Sequence, residues 1–293
     1  MANIRGIIKR RKAVRNIRTI TSAMELIASS RFRRAQLRLR AATPAREQGE
    51  AMLAQVVGSP HPAHPLLEGN ASDQAVVVTL MSDRGLCGGY NSRLLNLTRE
   101  TVKGHLRESR RVKLVLVGKR GIVQGKHYTL GKEFQERRLE PELTLEHFEG
   151  TILYELVFEL ADALMADYVA GRTGAVQVVF APMTKNTQPE VMTLLPLLPE
   201  PQRAAKASFQ YEMYPTAPEA LDVMLSEVVR MRLFGCFLHA AASEQAARMA
   251  AMHSSTTSAD KMVRALTQRI NRVRQGQITR ELAEIISGAD AQK

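Results

Sequence analysis

The 293-residue chain has no tryptophan, and aromatics make up 5% of it. That scarcity argues against a β-sandwich and against a nucleic-acid groove built from stacking side chains. Its two cysteines, Cys87 and Cys236, are far apart and form no C-x-x-C pair, which excludes a disulfide framework or a structural zinc site and suits a reducing compartment. No run approaches the roughly 18–20 apolar residues that a membrane-spanning helix needs, and Met1–Lys12 lacks the apolar stretch of a secretory signal. Acids are nearly missing from the start of the chain, where Glu25 is the one acid in residues 1–46.

What is present is charge of one sign in one place. Residues 1–46 carry thirteen Lys and Arg, so the whole formal charge of +12 sits there and the remainder balances to zero. Such a block suits an acidic protein surface, nucleic acid or anionic lipid. Phe32 is its lone aromatic, and Arg31, Arg33, Arg34, Arg38 and Arg40 read as the solvated face of a coiled-coil helix, which favours a protein partner. An Arg-rich, acid-poor start also resembles a mitochondrial transit peptide, but the helical pattern runs past the usual end of one.

Periodicity divides the chain into four parts. From Ile4 to about Val57 a seam of mostly small residues repeats every seven (Ile7, Val14, Thr21, Ala28, Ala35, Ala42), with Ile17 and Met24 three residues after Val14 and Thr21. Residues 1–57 are therefore expected to form one helix, and the prolines after Gly58 open a linker over 58–73. Within 74–209 the period shortens. Ala75–Met81, Val112–Gly118 and Ala175–Phe180 read as buried strands, with helices at Asn91–Arg107 and Leu145–Ala170 and an edge strand in Glu190–Leu198. That alternation predicts an α/β unit with a mainly parallel sheet.

Residues 210–293 hold the clearest pattern. Heptad positions beginning at Leu221 and Met224 are apolar or small at fourteen of sixteen sites through Ile270 and Val273, without a proline after Pro218. A helix over Leu221–Ile286 would be about 100 Å long, more than a compact domain contains, and the N-terminal helix is its matching partner.

No catalytic constellation emerges. Ser82–Asn91 joins a strand to a helix, where α/β proteins seat phosphates, but its glycines fit neither G-x-G-x-x-G nor G-x-x-x-x-G-K-[ST], and a tight turn is the better reading. His61 and His64 have H-x-x-H spacing in a Pro-rich loop without further ligands. No catalytic, cofactor or metal residue is assigned.

Three separated motifs carry a family resemblance. Ile17–Ala28 followed by Arg31–Gln36, the loop S-D-R-G-L-C-G-G-Y-N at Ser82–Asn91, and Ser243–Met249 together with Asn271–Ala291 occur in order along essentially the whole chain. In these the sequence resembles the gamma subunit of the F-type ATP synthase. The resemblance implies an α/β protein in which a long antiparallel coiled coil of N- and C-terminal helices carries a central Rossmann-like α/β domain, the foot. It also implies a rotating shaft that couples transmembrane ion flow to ATP chemistry performed by the partner subunits.

By position, the resemblance places Met24, Arg274, Gln275, Thr279 and Glu281 at the interface with the alpha and beta subunits. Asp83, Arg84, Gly85, Tyr211 and Glu212 fall on the foot, toward the epsilon subunit and the membrane c-ring. It implies a single copy in a hetero-oligomer, no nucleic-acid partner, no cofactor and no membrane insertion. The site it implies is the cytoplasmic face of a bacterial inner membrane, in preference to a mitochondrial matrix. Two other readings of the residues stay open: a stand-alone nucleotide-dependent α/β enzyme with a coiled-coil arm, and a nucleic-acid-binding coiled coil acting through residues 5–46.

Overall fold

The computed structural model describes residues 4–58, 63–108, 110–120, 123, 141–145, 152–184, 188–198 and 216–290. In chain order the elements are α1 (Ile4–Val57), β1 (Gln74–Leu80), α2 (Tyr90–Arg107), β2 (Arg111–Val117), β3 (Pro141–Leu145), α3 (Ile152–Val169), β4 (Ala175–Phe180), β5 (Glu190–Leu195) and α4 (Ala217–Asp290). They form two compact units, one of residues 1–29 with 248–293 and one of residues 30–247.

The larger unit is built on a five-stranded sheet of order β3-β2-β1-β4-β5. All neighbours are parallel except β5, which runs antiparallel along the edge of β4. Successive side chains on a strand face opposite ways, so each apolar run feeds two cores. Val76, Val78, Val115, Val117, Val176 and Val178 face a cluster with Leu160, Leu164 and Tyr168 of α3, Leu225 and Phe237 of α4, and Leu53 of α1. Val77, Leu114, Leu116 and Val179 face the other cluster, against Tyr90, Leu94 and Val102 of α2.

Two expectations need correction here. Leu145 closes a strand instead of opening the predicted helix, which is described from Ile152; residues 146–151 lie outside the described residues. The strand Pro141–Leu145 was not foreseen, because its five residues open on a proline and hold one acid and one threonine among the leucines. Such a segment becomes a strand by pairing with the edge of β2, which it does with a register shift between Leu114 and Leu116. Helix α1 runs through Pro44, an exposed position where a lost backbone donor is tolerable to a long helix.

In the smaller unit α1 and α4 pair antiparallel. Arg18 Nε donates to Asp260 at 2.5 Å, and Glu25 meets His253 Nδ1 at 2.9 Å. Seven residues forward on α1 thus match seven backward on α4. Between these pairs Thr256 donates to the Thr21 hydroxyl at 2.8 Å. Val14, Ala259 and Leu266 form the buried centre of the seam, flanked by Ile7 and Val263. Ile17 does not belong to it and is 53% exposed.

Candidate functional site

The Ser82–Asn91 loop closes on itself. Ser82 N donates to Asn91 Oδ1 at 3.1 Å, Asn91 Nδ2 to Ser82 Oγ at 2.7 Å, and Ser82 Oγ to the Arg84 carbonyl at 2.8 Å. These bonds hold the turn with Leu86 at φ 65° and Gly88 at φ 59°. Beside it Asp83 accepts the Lys119 amide at 3.1 Å, and Gly85 lies against the guanidinium of Arg120. Gly118, at φ 97°, is required where β2 ends, because a Cβ would stand 2.4 Å from the Met81 carbonyl oxygen. Arg84 and Leu86 are exposed, whereas Cys87 is buried under the loop and, like the equally buried Cys236, is a free thiol.

Strand order reverses between β1 and β4, and in open α/β sheets the crevice at that point, at the carboxyl ends of the strands, is the usual ligand site. Helix α4 fills it. The Met183 amide, just past β4, donates to His239 Nδ1 at 3.2 Å, and the Tyr90 hydroxyl donates to the Ala240 carbonyl at 3.2 Å. Burial, and secondarily the charge of Arg46, lowers the His239 pKa, which favours the neutral ring that an Nδ1 acceptor requires. A sheet of nucleotide-binding type is here used as a seat for a helix.

His64 is likewise committed: its Nδ1 accepts the Leu66 amide at 3.2 Å and its Nε2 lies 3.5 Å from Asp222. His61 lies outside the described residues. Among the described residues no three His, Cys, Asp or Glu side chains gather as metal ligands, and no helix is long and apolar enough to cross a membrane.

The shaft residues expected from sequence sit on the smaller unit. Met24 is half-buried beside the seam, whereas Arg274, Gln275, Thr279 and Glu281 are all exposed, C-terminal to Ile270, the last buried residue among those described. Thr279 turns its hydroxyl to the Gln275 carbonyl at 3.0 Å, leaving the charged neighbours to project outward. The structure does not bring these positions together with Met24. His253 lies opposite Glu25, so about 30 Å of helix separates Met24 from Arg274. On the larger unit Asp83, Arg84 and Gly85 share one loop; Tyr211 and Glu212 lie outside the described residues.

Reading for a seam missed a second set. Ile17, Ile20, Leu26 and Ile27 on α1, and Ile278, Leu282, Ile285 and Ile286 on α4, are large apolar residues with about half or more of their surface exposed. Solvated faces rarely carry so many. The available signal was that Ile20, Leu26 and Ile27 fall off the heptad line of a helix already bearing a basic face.

A family model described as ATP synthase matches residues 3–292. The ATP synthase gamma chain of Rhodopirellula baltica is 38% identical over an alignment that covers 99% of each chain. That of Frankia casuarinae is 35% identical, over 98% of this chain and 97% of its own length. Among solved structures, a chain of the Euglena gracilis mitochondrial ATP synthase OSCP/F1/c-ring assembly superposes with a TM-score of 0.65 over 99% of this chain and 94% of that one, at 14% identity. A chain of the Tetrahymena thermophila central stalk/c-ring structure gives 0.56 over 80% and 98%, at 19% identity.

Proposed function

This chain belongs to the ATP synthase gamma chain family, and from that premise we propose that it is the central stalk of a rotary ATP synthase, coupling ion flow across a membrane to ATP synthesis or hydrolysis in the surrounding subunits. It has no active site of its own; nucleotide chemistry belongs to its partners. The observation that carries the reading is the antiparallel α1–α4 pair, whose outward faces combine exposed Ile and Leu with a dense basic surface. Apolar residues left uncovered by the seam need a sleeve, and the cations favour one lined with acids.

Met24, Arg274, Gln275, Thr279 and Glu281 face the alpha and beta subunits of that sleeve. The Asp83–Gly85 loop, with Tyr211 and Glu212, belongs to the foot and meets the epsilon subunit and the c-ring. By role the chain divides into helix 1–57, linker 58–73, foot 74–209 and helix 210–293, and one copy serves each complex. In this reading it is held peripherally, on the cytoplasmic face of a bacterial inner membrane. A stand-alone nucleotide enzyme is disfavoured by the occupied strand crevice, and a nucleic-acid arm by the family assignment.

Affinity purification from the native source is the test. Alpha and beta ATPase subunits are expected to co-purify with the tagged chain, and the isolated chain is expected not to hydrolyse ATP. Recovery of an unrelated set of partners, or ATPase activity of the chain alone, overturns the proposal.

A further inference from the structure

Inside the larger unit, Glu50 of α1 and Arg232 of α4 form an ion pair in which both side chains are almost completely buried, at 1% and 6% exposure. Arg232 Nε donates to Glu50 Oε1 at 2.5 Å and Nη2 to Oε2 at 2.6 Å, a bidentate fork. The same Nη2 also donates to the Leu198 carbonyl at 2.7 Å, on the segment that leaves β5. That segment is in turn tied by the Leu197 amide to the Leu66 carbonyl at 2.7 Å. One guanidinium thus joins both long helices to the exit of the sheet.

Stability is a poor reason for such a pair. Desolvating two charges costs several kcal/mol each, roughly what their attraction returns, and apolar residues of similar size commonly do as well. The surroundings here are already apolar, with Leu53, Val56, Leu225, Val228 and Leu233 buried nearby on the same two helices. What aliphatic packing does not supply is direction. Leu and Val surfaces resist separation but tolerate small sliding, whereas a bidentate hydrogen bond loses its alignment when one helix shifts by a single residue rise of about 1.5 Å.

We infer that the Glu50–Arg232 fork, with the Leu198 carbonyl, is the joint that fixes both shaft helices to the sheet against sliding, and that Glu50 and Arg232 are positioning residues for the coupling of rotation to ATP chemistry. The inference rests on the central-stalk reading above. It assigns the joint one task, keeping axial and rotational register between foot and helices under load.

The test uses the full chain, reconstituted with its alpha, beta and remaining subunits and the membrane sector in vesicles. ATP hydrolysis and ATP-driven ion uptake, read with both proton and sodium indicators, give ions moved per ATP. Glu50→Gln leaves the Arg232 charge buried without its counter-charge, so it lowers the melting temperature as well as coupling. The decisive variant is therefore Glu50→Met with Arg232→Met, which removes both charges and keeps the volume. It is expected to melt near the wild type and to hydrolyse ATP at a similar rate, while ions moved per ATP fall at least about threefold, within the range for substitutions lying between coupled sites. The swap Glu50→Arg with Arg232→Glu restores the pair but not the donor to Leu198, and should fall between the two.

An unchanged ion-to-ATP ratio in a well-assembled double variant overturns the joint while leaving the central stalk intact. Failure of the wild-type chain itself to support ATP-driven transport overturns the central-stalk reading and the joint with it.

Discussion

Helix α4 lives in two environments along its 74 residues. Between Leu221 and Ser243 burial spreads well beyond the seam: Leu225, Val229, Leu233, Cys236, Phe237 and Ala240 lie off the heptad line and are as buried as Leu221, Val228 and Ala242 on it. From Arg248 on, the deeply buried apolar residues are Met252, Ala259, Leu266 and Ile270, all on the seam. The first stretch is the centre of a domain core and the second is one half of a two-helix pair. A single heptad pattern serves both, because a seam is the minimum burial a paired helix requires and a core only adds to it.

That contrast sets an order of consequences. The largest effect belongs to the core: Leu225→Ala or Phe237→Ala, each within 1% of full burial, should lose about 3–5 kcal/mol in urea or thermal unfolding. In the seam, Leu266→Ala should cost about 2 kcal/mol or less, since water reaches the gap it leaves. Equal losses at Leu225 and Leu266 would break the comparison.

Next come the polar groups of the seam. Thr21→Val with Thr256→Val removes both hydroxyls at constant shape and should change stability by less than about 1 kcal/mol, in the stabilising direction, whereas Thr21→Val alone strands the Thr256 hydroxyl and should cost about 1 kcal/mol. A double variant less stable than either single one would show that the hydroxyl pair contributes more than ordinary packing. Smallest is the ion pair at the surface of the seam. A double-mutant cycle on Arg18 and Asp260, both about half exposed, should return under about 1 kcal/mol and shrink with salt.

In the larger unit the Arg111 guanidinium, bonded to the exposed Asp73, holds that carboxyl below its ordinary pKa. A depressed carboxylate contributes stability that is present above its unfolded value and lost as pH falls through the folded one. Asp73→Asn should therefore flatten the acid limb of the stability profile and leave the neutral region nearly unchanged, which unfolding midpoints taken across pH will show.

Much of this was readable from the chain. The runs at Ala75, Val112 and Ala175 announced central strands because only doubly buried strands are so continuously branched and apolar. The heptads of α4 are legible because a seam is a local property, repeated every seven residues regardless of what lies opposite. Ile17 misled for the same reason: three residues after Val14 is a valid seam step, and only the actual crossing of the partner shows that the step is not taken. Pro141–Leu145 is a strand through the edge it meets. Of the candidate positions, the loop at Asp83 was legible as a tight turn from its glycines and as an interface only through the family resemblance, and the exposed Ile and Leu of both helices were visible but lie off the seam that was being read.

By itself the sequence determined the two long helices, the parallel sheet between them and the confinement of net charge to the first 46 residues, all of which follow from short-range pattern and composition. Tertiary structure alone decided that α4 occupies the crevice where such sheets hold ligands, and that Glu50 and Arg232, 182 positions apart, share one dry site. The physical reason is range. Periodicity fixes which face of an element is apolar, but which polar groups meet across that face depends on contacts between segments far apart in the chain.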